Sequence, residues 1–284
     1  MVSDPRWDRA TGDIHEADYR VTDEGTVERT ATRNKRGWLA PFTAVLLFVA
    51  TKFKIIFAAV KSVPLFTTTF TAVVSIGAYA LAFSWQFAVG LVVLLFIHEM
   101  GHVFVLRRYG VPATAPVFIP FMGAFIGMKE LPRNAVMEAY VGLGGPVIGS
   151  IGAMAAWGLY MLDGHTIFLV LAYIGVLLNL FNLLPVLPLD GGRIVGAVSR
   201  WIWVVGYAAA VLFLIARPNP LLLMVLLFGA PELWNAVRSR KGTDTYYQVP
   251  LGDRLSVGAI YFGLMLVLGF AMYELQHLVV LHRP

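Results

Sequence analysis

The sequence predicts an all-α polytopic membrane protein of about six to seven transmembrane helices, with a membrane-associated β-hairpin near the expected functional site. Three observations predict it. Hydrophobic residues make up 58% of the 284-residue chain and charged residues 14%, whereas a soluble domain averages about 45–50% apolar and about 25% charged. Mean hydropathy is +0.72. Apolar runs long enough for a bilayer core, at about 20 residues per helix, recur along the chain, and one apolar stretch rich in Pro and Gly interrupts them.

The elements follow in order. Residues 1–38 carry charge of both signs and few large apolar side chains, so they are expected to form a disordered cytoplasmic tail without a core. No apolar h-region marks a signal peptide within it. Residues 39–62 are apolar but broken by Lys52 and Lys54, with Lys61 just beyond the run. A lysine at a helix centre costs about 2.5–3.5 kcal/mol, so an interfacial or shallow helix is expected there. A membrane core over 63–196 and C-terminal transmembrane helices over 197–284 complete the chain, with spans expected at 64–83, 86–106, 140–162, 166–184, 199–216, 220–237 and 254–277.

Charge sets the orientation. If seven spans alternate, Lys61, Arg107, Arg108, Lys129, Arg133, Arg193, Arg200, Arg238, Arg240 and Lys241 all fall on one side, and the opposite loops hold Arg217 alone. That places the N-terminus in the cytoplasm and the C-terminus outside. The net charge of +5 is therefore read as a membrane-side bias, with the lipid bilayer and not nucleic acid as partner. Cysteine is absent, which excludes disulfides, thiolate metal sites and a cysteine nucleophile.

Between Arg108 and Tyr140 the apolar runs PVFIP and AFIGM flank Met122–Gly123, a hairpin pattern. Irregular backbone at membrane depth is tolerated only against protein or a wet cavity, so the hairpin is expected to dip in beside a cavity.

The segment LLFIHEMGHVFVLRRYG carries the chemistry. His98 and His102, four apart on a helix, share one face and can chelate one Zn2+ ion, with Glu99 placed as general base. Ionisable side chains inside a span are expensive and mark function. His98 lies nine residues before Arg107, about 14 Å along a helix, which puts the site nearer the cytoplasmic face. Two histidines need a third protein ligand, and NLFNLLPVLPLDGGRIVGA offers Asp190, at the mouth of an apolar helix, followed by Gly191 and Gly192. Pro185 and Pro188 interrupt that segment and free backbone carbonyls. Asn182 is read either as a donor to an oxyanion or as an interhelical hydrogen-bonding residue, the role expected of Asn179.

HEMGH and NLLPVLPLDGG together resemble the paired motifs of the site-2 protease family of intramembrane zinc metalloproteases, including the eight-residue gap from Asn182 to Asp190. The resemblance extends over about 64–196, through the hairpin and GLGGPVIGS. It implies a catalytic membrane core at 63–196, one zinc per chain held by His98, His102 and Asp190, Glu99 as catalytic base and Asn182 near the scissile carbonyl. The implied substrate is a membrane-protein segment, such as a single-span protein or its remnant. Where family members often carry Asn after the Gly-Pro of the third segment, this chain has Ser150 four residues after Pro146. No inserted PDZ or CBS domain is recognisable. Two rival readings belong to other classes: a membrane metal-ion transporter, and an inactive scaffold that keeps the site without turnover.

Remaining polar and small residues receive simpler readings. Gly145, Gly149 and Ala153 form a small-residue ridge for helix packing. Glu138 is expected to be solvated, the Asp163–His165 pair to belong to an outside turn, and Trp201, Trp203 and Trp234 to be interfacial aromatics.

Overall fold

The computed structural model describes residues 19–21, 27–29, 64–238 and 245–281, and divides the chain into two units, Met1–Ala59 and Val60–Pro284. In the first unit, β1 (Tyr19–Val21) pairs antiparallel with β2 (Val27–Arg29). The rest of the expected tail, and the interfacial helix expected over 39–62, lie outside the described residues.

The second unit is mostly helical. In chain order it contains α1 (Pro64–Ala80), α2 (Trp85–Arg108), β3 (Val117–Ile119), β4 (Gly123–Phe125), α3 (Ala135–Asp163) and α4 (Thr166–Asn182). These are followed by α5 (Asp190–Val198), α6 (Arg200–Ala216), α7 (Pro220–Arg238), a short 3-10 turn (Thr245–Tyr247) and α8 (Leu251–Leu281). Among the described residues, α2, α3 and α8 are long and apolar enough to cross a membrane, and α1, α4, α6 and α7 contain shorter apolar helices.

Local chemistry fixes the helix ends. Ser84 caps α2 by accepting from Phe87 N–H, and Arg107 and Arg108 sit in the last turn, where cations suit the negative end of the helix dipole. Asn134 caps α3 through Met137 N–H at 2.8 Å, so α3 starts five residues before the expected span at Tyr140. It ends on Gly164 at φ 74°, a left-handed cap that glycine adopts at low cost. Asp190 opens a separate nine-residue helix, not the long helix the sequence suggested.

The core is built on α3. Its residues pack with α4, α5 and α8 around Leu143, Ala153, Val176, Ile194 and Leu268. At the α2–α3 crossing, a Cβ on Gly101 would lie 2.1 Å from Gly144 O and one on Gly144 2.6 Å from Gly101 O. The two backbones touch there. Ala153 abuts Gly175 in the same manner, a Cβ on Gly175 falling 2.8 Å from Ala153 Cβ.

The hairpin pairs Val117 with Phe125 and Ile119 with Gly123. Polar groups of α1 fasten it: Thr68 Oγ1 donates to Pro116 O at 2.7 Å. Thr71 Oγ1 accepts from Phe118 N–H at 3.2 Å, and Tyr79 OH accepts from Phe121 N–H at 3.1 Å. The sheet has two strands, so β4 is an edge strand.

Two expectations are corrected here. Trp203 is 2% exposed and donates from Nε1 to Gly192 O at 2.6 Å; it is a core residue, unlike Trp201, which is exposed. Glu138 is half-buried and accepts from Tyr246 OH at 2.7 Å. Burial, and then the Glu138 carboxylate, push the Tyr246 hydroxyl above the usual phenol range, which keeps it a donor.

Candidate metal centre

His98 and His102 lie on the fourth and fifth turns of α2, facing α3 across the Gly101–Gly144 contact. Proline at 185 and 188 prevents α4 from continuing into α5. The chain turns back between them, and α5 begins with Asp190 directed at α2. Gly191 and Gly192 permit the return: a Cβ on Gly191 would lie 2.2 Å from Leu183 O, and one on Gly192 2.6 Å from Leu187 N.

Three atoms from the two helices converge. Asp190 Oδ2 lies 3.1 Å from His98 Nε2 and 3.3 Å from His102 Nε2. The two Nε2 atoms are 3.2 Å apart. All three side chains are largely removed from solvent, as is Glu99, which is 6% exposed.

The hydrogen bonds decide what this triangle can hold. Asn179 Nδ2 donates to Gly175 O at 2.7 Å, which turns Asn179 Oδ1 toward His98 Nδ1 at 2.9 Å. His98 therefore donates from Nδ1. His102 Nδ1 faces Val141 O at 2.7 Å and also donates. With both ring protons on Nδ1, the Nε2 lone pairs point at each other and at a carboxylate oxygen. Three electron-rich atoms at that spacing repel unless a cation or proton lies among them. Tetrahedral zinc with bonds of about 2.0–2.1 Å places neighbouring ligands about 3.3–3.4 Å apart, so the donor set fits such an ion. His98, Glu99 and His102 also offer ligand atoms within 4.8 Å of one another. The Asp190 carboxylate makes ion-pair contact with both imidazoles.

The centre opens into a cavity of about 360 Å³. Its walls include Glu99, Asn182, Arg193 and the hairpin residues Met122–Phe125, with Leu221 and Val225 of α7 opposite. Asn182, the last residue of α4, thus faces the cavity. Asn179 is buried and makes the interhelical hydrogen bond expected of it, with the His98 ring as its partner. Val141 carried no sequence signal because it acts through its main-chain oxygen. The expected packing ridge does more than pack: a Cβ on Gly145 would lie 2.2 Å from His102 Nε2, and one on Gly149 2.4 Å from Asn179 Oδ1. Away from the centre, Asp163 Oδ1 and His165 Nε2 form an exposed pair 3.4 Å apart.

Residues 86–168 and 162–210, which contain this whole constellation, match the model of peptidase family M50. That stretch, under half of the chain, is similar to that family. This agrees with the motif resemblance to site-2 proteases. The chain is 30% identical over 148 residues to zinc metalloprotease MJ0392 of Methanocaldococcus jannaschii, a match covering 49% of this chain and 42% of the relative. It is 33% identical over 134 residues to Rip3 of Mycobacterium tuberculosis, named as a candidate zinc metalloprotease, covering 43% and 34%. The chain thus matches less than half the length of either relative.

Proposed function

We propose that this chain is an intramembrane zinc metalloprotease of the M50 family that hydrolyses peptide bonds in transmembrane or membrane-proximal segments of other membrane proteins. The observation that carries the reading is the convergence of His98, His102 and Asp190 from two helices, with Glu99 beside them in a cavity that an edge strand borders. Zinc held by those three residues supplies Lewis acidity toward a carbonyl and acidifies water.

The chain's own residues do the rest. Glu99, buried next to the triangle, accepts the proton of the attacking water and returns it to the departing amine. The Asn182 amide, on the cavity wall, donates to the oxygen that gains charge. A substrate helix hides its peptide bonds in its own hydrogen bonds, so it must unwind; β4 offers the unwound segment a strand to pair with. The lining is mostly apolar, which suits side chains drawn from a bilayer.

In this reading the domains run as a cytoplasmic tail over 1–38, an interfacial helix over 39–62, a catalytic core over 63–196 and C-terminal spans over 197–284. Six to seven helices cross the bilayer. The bias of Arg107, Arg108, Lys129, Arg133, Arg193 and Arg200 supports a cytoplasmic N-terminus and a site nearer that face.

The test uses the full chain in detergent with a panel of single-span substrates. Glu99→Gln should abolish cleavage while retaining one zinc per chain. Cleavage at the wild-type rate by this variant would refute the reading; metal transport in liposomes without cleavage by the wild type would point to a transporter.

A further inference from the structure

We propose that Asn179 is the positioning residue for His98, and that Gly149 is the socket that keeps it in place. The inference rests on the zinc reading of the site. The two imidazoles are oriented by different means. His102 donates to a main-chain carbonyl, Val141 O, which no side-chain replacement removes. His98 donates to a side chain, Asn179 Oδ1 at 2.9 Å, and depends on that residue's identity.

The Asn179 amide is itself held in one orientation. Its Nδ2 donates to Gly175 O one turn earlier in α4, so its oxygen and not its nitrogen meets the ring. The residue is 3% exposed, so no bulk water competes for the bond. Opposite it, α3 presents Gly149, where a Cβ would lie 2.4 Å from Asn179 Oδ1 and 3.0 Å from Nδ2. A methyl group there displaces the amide. With the amide gone, His98 Nδ1–H is buried without an acceptor. The ring is then free to turn or change tautomer, and Nε2 ceases to present its lone pair to the triangle. Loss of such an orienting partner typically lowers metal affinity by about 10–100-fold.

The same geometry allows the oxygen to be supplied from the other helix. In asparagine, Cβ and Oδ1 are about 2.4 Å apart by bond lengths and angles. That equals the gap between a Cβ on residue 149 and the present oxygen. Asparagine at 149 with glycine at 179 therefore places a carbonyl oxygen at the same point from α3.

The experiment measures zinc affinity of the full chain in detergent by chelator competition, with cobalt(II) absorption as a second readout of the ligand geometry and thermal unfolding of the metal-free form as a measure of packing. Asn179→Leu and Gly149→Ala should each weaken zinc by about 10–100-fold and alter the cobalt spectrum. The second leaves Asn179 in the chain and so guards against a defect peculiar to the leucine. The double variant Gly149→Asn/Asn179→Gly should bind zinc at least tenfold more tightly than Asn179→Gly alone. Zinc affinity within about threefold of wild type in both single variants overturns the proposal, whatever happens to the unfolding temperature. A double variant no better than Asn179→Gly assigns the loss to packing and also overturns it. A wild-type chain that takes up no zinc refutes the proposed function itself, whereas normal zinc in every variant refutes this inference alone.

Discussion

Replacing Gly145 by alanine adds one methyl group at the wall of the metal centre, and the structure gives its consequences in ångströms. The new Cβ would lie 2.2 Å from His102 Nε2, 2.5 Å from His102 Cε1 and 2.7 Å from His98 Nε2. Carbon and nitrogen atoms in contact prefer about 3.5 Å or more, so the His102 ring must retreat by about 1 Å or the α2–α3 crossing must open. Opening is resisted because Gly101 and Gly144 already bring the two backbones together. The ligand spacing of 3.1–3.3 Å is therefore lost, while metal bonds tolerate about 0.2 Å. A misplacement of about 1 Å at a reacting centre costs about 100-fold. We expect zinc affinity to fall at least 100-fold and cleavage to vanish. Overpacking costs about 1–3 kcal/mol and is offset by the better helix propensity of alanine, about 0.8–1.0 kcal/mol, so the metal-free protein should unfold within a few degrees of wild type. Gly158→Ala in the same helix is the control, since its Cβ meets nothing within 4 Å; it should bind zinc normally. The assay is zinc per chain by elemental analysis, with chelator competition for affinity. Gly145→Ala holding one zinc at wild-type affinity would refute the steric argument.

Asp190→Ala should lower zinc occupancy and abolish cleavage without unfolding α5; full occupancy would remove Asp190 from the ligand set. Thr71→Val removes the hydroxyl that accepts from Phe118 N–H and should destabilise by about 0.5–1.5 kcal/mol. By loosening the hairpin it should slow cleavage several-fold at unchanged zinc content; an unchanged rate would show that α1 does not set the hairpin's position. Trp203→Phe leaves Gly192 O, two residues from Asp190, without its indole donor. The lost hydrogen bond costs about 0.5–1.5 kcal/mol, measured as a lower unfolding temperature, and zinc should bind more weakly as α5 shifts; wild-type values for both would refute the coupling.

Much of the architecture was legible because a bilayer restricts the choices. Apolar runs gave helices close to those found, and Met122–Gly123 falls at the turn between β3 and β4. The start of α6 at Arg200 lies one residue from the expected span start at 199, whereas the short helix α5 over Asp190–Val198 was not among the expected spans because nine residues are too few to cross a bilayer. Trp203 was misread because an aromatic near a span end suits an interface as well as a core, and hydropathy does not distinguish them.

The sequence by itself determined the pair of imidazoles and the base, since four residues are one helical turn and that spacing is local. It also offered Asp190 as the third ligand, from its motif and not from any geometry. Tertiary structure alone decided that Asp190 returns to within 3.1–3.3 Å of both rings. It also decided that Asn179 and Val141 O orient those rings and that Gly145 and Gly149 leave room for them. The physical reason is range. Helical periodicity reports neighbours one turn away, whereas the ring acceptors come 81 and 39 residues later in the chain. Only the packing of α2 against α3, α4 and α5 brings them within hydrogen-bonding distance.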